Sequence, residues 1–212
     1  MVSWSDIGIV LSSRKHGEKY KIINVFTKGH GRFSAMSSVG RSGNTFAIFS
    51  NVELAYSAKT ADNLGFWKLL NERQNWIFSF NSQNHILVCQ AICYALDRLL
   101  PVGAPYPGLF AFVDYVSRSL QNFSEKGVLL LYVYFENILV GELGFRKHPE
   151  TLPKLSDFSA LPDVLNGDAL CSNAYNILLQ TGKTIEENLR HIGNCYRDMI
   201  VQSIMIGNND HY

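Results

Sequence analysis

Two apolar runs joined by a turn decide the fold of the N-terminal part: Ile7-Gly-Ile-Val-Leu-Ser-Ser-Arg-Lys-His-Gly-Glu-Lys-Tyr-Lys-Ile-Ile-Asn-Val-Phe26. Both runs are short and rich in β-branched residues, and His16-Gly17 lies between them, which is typical of a β-hairpin. A third alternating run, Phe46 to Tyr56, and glycine-rich turns at 28–31 and 40–44 extend the pattern. Short strands at a spacing of about ten residues predict a small β-barrel or sandwich.

The pattern changes near Asp62, where apolar residues begin to recur at helical spacing. Residues 63–100 are predicted to be helical, and the three prolines of Pro101–Gly108 are expected to end that helix because proline supplies no backbone donor. Four further helices are predicted, at residues 109–123, 128–143, 168–180 and 186–206.

The sequence therefore predicts an α+β protein with a β domain over residues 1–60 and a helical domain over residues 61–212. Prolines and scattered polar residues predict an extended linker near residues 146–166. The hydrophobic content of 47% over 212 residues is sufficient for a packed core, so one large or two small domains are expected.

Positive charge is concentrated at the N-terminus. Residues 1–60 hold eight Lys/Arg against three Asp/Glu, a net of +5, whereas residues 61–150 and 151–212 carry −1 and −3. Such a concentration points to a polyanionic partner, above all nucleic acid. A solvated cationic surface without a ligand is the simpler alternative.

Cysteine usage and hydropathy predict a cytoplasmic protein. No basic segment followed by an apolar one is seen at the start, so no secretory signal is expected. The most apolar stretch, Val128–Val140, is shorter than the roughly 18 residues that a membrane span needs. The four cysteines form no C-x-x-C pair, which favours buried thiols in a reducing compartment.

Sequence motifs that would indicate nucleotide binding, metal binding or catalysis are weak in this chain. Gly182-Lys-Thr184 lacks the preceding glycine of a phosphate-binding loop, since Ile177 occupies that position, and it fits a helix cap better. Gly40-Arg-Ser-Gly43 resembles the clamp of KH domains but lies between predicted strands rather than helices. Cys89 and Cys93 have no second pair of metal ligands. We therefore expect no enzyme, metal or cofactor, while a hydrolase with a Cys/His pair stays a distant alternative.

Cations, aromatic residues and glycines are interleaved in residues 14–21 and 28–33. Cations neutralise phosphates, aromatic rings stack on bases, and glycines allow close approach of the backbone. No Arg or Asn lies on an evident recognition helix, so we predict backbone binding with little sequence preference. Tyr20 could equally stack on a base or pack in the core, whereas Phe33 fits the core better.

Several segments resemble the RecO family of bacterial recombination mediators, most specifically the opening segment Asp6–Lys19. The likeness covers about residues 4–146 and is weak beyond them. The other segments that carry it are Val25–Arg32, Gly40–Ser42, Leu64-Gly65, Leu99–Pro101 with the following Tyr-Pro-x-Leu-Phe run, and Tyr134–Phe145.

The resemblance implies an N-terminal OB-fold β-barrel followed by an α-helical domain. It also implies binding of single- and double-stranded DNA and annealing of complementary strands. The family works with RecR and the C-terminal tail of single-stranded DNA-binding protein to place RecA on gapped DNA. By position, the DNA surface would be lined by Arg14, Lys15, Lys19, Lys21, Lys28, Arg32 and Arg41.

One departure from the family concerns zinc. Many relatives carry a cysteine-bearing zinc module after a Leu-Gly pair, but here Gly144-Phe145 is followed by no cysteine until Cys171. A short form without zinc is therefore expected, cytoplasmic and associated with the nucleoid. An OB-fold RNA-binding module is the main alternative. The cations that could rim an apolar pocket for the partner tail are Arg98, Arg118, Arg146 and Lys147.

Overall fold

The computed structural model describes residues 1–38, 46–60, 63–74, 82–145, 158–166, 181, 183, 185 and 198–204. Five strands come first and helices follow. The strands are β1 (Val2–His16), β2 (Tyr20–Thr27), β3 (Gly31–Ser38), β4 (Asn51–Ala58) and β5 (Gly65–Gln74). The helices are α1 (Gln83–Leu99), α2 (Pro107–Ser119), α3 (Glu125–Glu142) and α4 (Leu161–Asn166), with 3₁₀ turns at Leu120–Asn122 and Phe158–Ala160.

The strands close into a barrel in the order β1-β2-β3-β5-β4. Strand β1 is long because its first half pairs with β4 and its second half with β2, and a bulge between Val10 and Ser12 bends it between the two partners. Strands β3 and β5 run parallel through a short ladder at Ala35 and Met36, and the other pairs are antiparallel. This is the topology of the OB-fold, so the predicted α+β class and OB-fold barrel are confirmed.

Alternation along β2 separates the inside of the barrel from its outside. Ile23 and Val25 lie in the buried barrel core, and the indole nitrogen of Trp67 donates a hydrogen bond to the Ile23 carbonyl at 3.0 Å. Tyr20, Ile22, Asn24 and Phe26 therefore share the outer face. The outward position of Asn24 and Phe26 lets them contact other parts of the chain.

Strand β5 corrects the predicted helix. We expected residues 63–100 to be helical, but residues 65–74 pair with β4 and β3. Leu70 is an extra residue in the β4–β5 ladder, because Leu54 pairs with Leu69 and Glu53 with Asn71. That bulge breaks the period of two, and the apolar residues then imitate helical spacing. The barrel thus extends beyond residue 60, and the predicted division of the chain at that position stays untested.

The chain falls into two compact units. The first comprises residues 1–79 and 93–118, and the second comprises residues 80–92 and 119–212. Helix α1 ends at Leu99 and α2 begins at Pro107, which confirms the predicted break at the prolines. In the first unit the Phe26 and Phe110 rings are in edge contact at 5.4 Å, so the outer face of β2 packs on the segment after α1.

The β2–β3 turn also approaches this segment closely. Gly31 has a φ of +70°, and a Cβ there would lie 2.0 Å from the Ala104 carbonyl oxygen. The Gly103 amide donates a hydrogen bond to the Arg32 carbonyl at 3.0 Å. Glycine at position 31 therefore permits both the left-handed turn and the contact.

The second unit is built on α3, most of which is buried. Its apolar residues confirm the predicted helix over 128–143, and the predicted helix over 109–123 corresponds to α2 and the following 3₁₀ turn. Residues 198–204 are helical, as predicted, whereas the predicted helix over 168–180 and the Thr184 cap lie outside the described residues.

The predicted linker is wrong for its last nine residues. Residues 158–166 form a 3₁₀ turn and the short helix α4, in which Leu161, Pro162 and Leu165 are buried. Apolar residues spaced three and four apart bury one face, and proline is compatible with a first helical turn. Residues 146–157 of that linker lie outside the described residues.

Replacement of Ser124 by alanine should lower the free energy of unfolding by about 1 kcal/mol. The Ser124 hydroxyl accepts a hydrogen bond from the Gly127 amide at 3.0 Å, which caps the first turn of α3. Urea unfolding followed by circular dichroism measures the loss. Ser124→Asp should retain the cap and most of the stability, and equal losses in both variants would contradict this role.

Candidate nucleic-acid interface

The hairpin of residues 14–21, here called the basic hairpin, joins β1 to β2 and carries four cations. In its register Lys15 lies directly opposite Lys21, and His16 lies opposite Tyr20. Like charges directly opposite each other destabilise a strand pair. An anion bound between Lys15 and Lys21 would remove that repulsion.

Exposure and pairing leave the basic hairpin available to a ligand. The side chains of Arg14, Lys15 and Lys19 are exposed, and Lys21 is half-buried. Among the described residues none of the four has a carboxylate within 4 Å. Glu18 is the one acid of the hairpin. Its positive charge is therefore largely uncompensated.

Two other predicted DNA residues lie away from this hairpin. Lys28 is exposed in the β2–β3 turn, at the opposite end of β2 from Lys21. Lys28 is seven positions after Lys21 along the chain, which corresponds to about 23 Å at a rise of about 3.3 Å per residue. Arg41 lies outside the described residues. The described members of the predicted set are thus not a single patch: Arg14, Lys15, Lys19 and Lys21 lie together, whereas Lys28 and Arg32 do not.

The Arg32 side chain binds other residues of the protein and is not available to a ligand. Its Nε donates to the Leu100 carbonyl at 2.8 Å, and its Nη1 lies 3.5 Å from Asp97 Oδ1. The Arg32 side chain is 17% exposed. Asp97 also accepts hydrogen bonds from Ser12 at 2.9 Å and from Asn24 at 2.8 Å. This polar cluster fixes the end of α1 to the barrel, and Arg32 acts there in packing.

The outer face of the barrel beside the basic hairpin carries residues that the sequence pattern did not reveal. Phe66 and Lys68 are two residues apart on β5 and therefore lie on the same face of the strand. Both side chains are exposed. Phe66 contacts the Tyr20 ring edge-on at 5.9 Å between centroids. Because residues 63–100 were predicted to be helical, Phe66 and Lys68 were not expected on the surface of a strand. The alternation of Gly65, Trp67 and Leu69, which all point inward, is the sequence signal that could have indicated this strand.

The two aromatic predictions have different outcomes. Phe33 packs in the core, in edge contact with Trp4 at 5.4 Å and Tyr56 at 5.6 Å, as predicted. Tyr20 is exposed. It is therefore available for stacking, which was the open alternative.

The cations proposed for a protein partner have local contacts. Arg98 is exposed and lies over the Tyr94 ring at 5.5 Å. Arg118 is exposed and pairs with Asp114 at 2.6 Å, and Asp114 also accepts a hydrogen bond from Asn51. Arg146 and Lys147 lie outside the described residues.

The thiols that the structure describes are structural. Cys89 and Cys93 are both buried, as predicted. Burial raises the pKa of the Cys89 thiol, so the reactive thiolate is disfavoured. Within the described ranges no three His, Cys, Asp or Glu side chains are grouped to hold a metal ion. None of the helices in the described part is long and apolar enough to cross a membrane.

Comparison with known proteins identifies the family. Residues 1–71, which comprise β1 to β4 and most of β5, match the family model described as Recombination protein O N terminal. Over 147 residues the chain is 32% identical to the DNA repair protein RecO of Chelativorans sp. (strain BNC1), covering 68% of this chain and 58% of the relative. Residues 1–71 match the N-terminal domain of the RecO family, and the chain is similar to RecO proteins over 68% of its length. The resemblance of the opening segment is thereby confirmed.

Other RecO proteins match over the same extent. The DNA repair protein RecO of Ruegeria sp. (strain TM1040) is 30% identical over 149 residues, 68% of this chain and 60% of the relative. That of Wolbachia sp. subsp. Drosophila simulans (strain wRi) is 26% identical over 148 residues, with coverage of 68% and 60%. The chain spans about three fifths of the length of these curated RecO relatives.

Proposed function

We propose that this protein acts in DNA repair as a recombination mediator that binds single- and double-stranded DNA. The observation that carries the proposal is the Lys15–Lys21 pair, two like charges held opposite each other without a carboxylate partner among the described residues. OB-folds bind oligonucleotides at the β2–β3 face and at the β1–β2 loop, and the basic hairpin is that loop. Relatives named as DNA repair proteins support the same role.

We infer that the basic hairpin neutralises phosphates and thereby anneals complementary strands. Two DNA strands repel each other, and a cationic surface that releases their counterions lowers this barrier. Such a mechanism requires no covalent chemistry and no cofactor. Arg14, Lys15, Lys19 and Lys21 are the residues proposed to contact DNA, whereas Lys28 could extend the contact only along the length of β2.

We further propose that the helices beyond the barrel form the domain that contacts protein partners. These partners would be RecR and the C-terminal tail of single-stranded DNA-binding protein, and their function would be to load RecA on gapped DNA. Arg98 is the better placed of the described candidates, since Arg118 is paired with Asp114. We propose that the protein does this work in the cytoplasm, associated with the nucleoid.

An annealing assay tests the proposal. Complementary oligonucleotides coated with the host single-stranded DNA-binding protein should anneal faster with the protein than without it, as measured by fluorescence transfer between end labels. The same oligonucleotides in RNA form provide the comparison. No acceleration on DNA would contradict the mediator role, and a clear preference for RNA would favour an RNA-binding module instead.

A further inference from the structure

An exposed aromatic pair is formed by Tyr20 of the basic hairpin and Phe66 of β5. Tyr20 is 38% exposed and Phe66 is 43% exposed, and their rings are in edge contact at 5.9 Å. They are the two aromatic members among the large hydrophobic residues exposed in the described part of the chain. Single exposed apolar residues are common, but two aromatic rings exposed in contact are not explained by packing.

Strand register places both rings on the outer face of the barrel, on either side of β3. Tyr20 pairs with Ser38, Phe66 pairs with Met36, and Ser38 and Met36 share one face of β3. The other end of this outer face is covered, because Asn24 binds Asp97 and Phe26 packs on Phe110. Among the described residues, the exposed part of this face lies at the end that bears the basic hairpin.

Two cations, Arg14 and Lys68, lie on the same face of the barrel as the pair. Arg14 lies opposite Ile22 and so points to the side of Tyr20, and His16 lies directly opposite Tyr20. Lys68 is exposed two residues beyond Phe66. Aromatic rings and cations on one face fit a ligand that has both flat apolar groups and negative charge, and the bases and phosphates of a single-stranded nucleic acid supply these. Paired bases are stacked within a duplex and cannot reach the rings.

We propose that Tyr20 and Phe66 form a stacking site for unpaired bases of single-stranded DNA. This inference rests on the proposed function, because the basic hairpin would hold the phosphates of the same strand. The cations give affinity for any DNA, and the aromatic pair gives preference for unpaired over paired bases. The pair would thereby direct the protein to the gaps on which it acts.

Fluorescence anisotropy with two labelled probes tests the site: a thymine oligonucleotide and an abasic strand of equal length. Phe66→Leu and Tyr20→Leu should each weaken binding to the thymine strand by about fivefold or more. Binding to the abasic strand should not change. The slope of log affinity against log salt should also be unchanged, because stacking releases no counterions.

Matched variants distinguish the contribution of the aromatic ring from that of side-chain volume. Phe66→Tyr and Tyr20→Phe keep the rings and should retain wild-type affinity, and so should Ile86→Ala, which removes an exposed apolar side chain elsewhere. Unchanged binding of the thymine strand by the leucine variants would overturn the stacking site, as would equal losses on both strands. If the wild-type protein binds neither strand, the proposed function fails as well.

Discussion

Replacement of Asp97 by alanine should lower the free energy of unfolding by roughly 3 kcal/mol. The Asp97 carboxylate accepts hydrogen bonds from Ser12 and Asn24 and pairs with Arg32, and it is 18% exposed. Removal of the carboxylate leaves three polar groups without their acceptor in a half-buried position. Partners left unsatisfied account for most of the expected loss.

Urea unfolding of the whole chain, followed by circular dichroism, measures this effect. Asp97→Asn keeps the shape and one acceptor oxygen but loses the charge, so it should lose less than the alanine variant. Asp163→Ala removes an exposed acid and is the control, with an expected change within about 0.5 kcal/mol. An Asp97→Ala variant as stable as this control would show that the polar cluster does not fix α1 to the barrel.

The barrel could be predicted from sequence as far as its local signals extend. The runs of β1 and β2 alternate clearly around His16-Gly17, and the hairpin follows from them. Strand β5 was not predictable in the same way. Its bulge at Leu70 removes the alternation, and its pairing with β4 is a tertiary contact that no local pattern contains.

The candidate site could be located from sequence only in part, for a related reason. Charge counts identified the cations of the basic hairpin, whose separation along the chain is small enough that a turn brings them together. Lys28 and Arg32 carry the same charge, yet the length of β2 puts them at the other end of the barrel. Charge alone could not show that Arg32 binds Asp97, since that partner is 65 residues further along the sequence.

The proposed aromatic site shows the same limit of sequence-based prediction. Tyr20 could be named from sequence, but its exposure and its contact with Phe66 depend on the closure of the barrel. The apolar pattern around Phe66 fitted a buried helix equally well. Helix α4 was missed because a six-residue helix with proline in its first turn leaves almost no periodic signal.

Replacement of Lys15, Lys19 and Lys21 by alanine should strongly weaken binding to single-stranded DNA of any sequence. Removal of each phosphate-binding lysine should reduce the slope of log affinity against log salt by about 0.7. For three lysines the slope should fall by about 2. Relative to the wild-type protein, and taking equal affinities at 1 M salt, the variant should then bind roughly fiftyfold more weakly at 0.15 M salt. The fold should be retained, because Lys15 and Lys19 are exposed and the opposed Lys15–Lys21 charges repel.

The salt dependence of this variant is the most direct test of the claim that the basic hairpin binds DNA. The control removes three lysines of residues 119–212, Lys126, Lys154 and Lys183, and so changes the net charge equally. We predict a slope reduced by about 2 in the hairpin variant and a wild-type slope in the control. Equal slopes in the hairpin variant and the wild-type protein would contradict the claim and place the DNA site elsewhere on the chain.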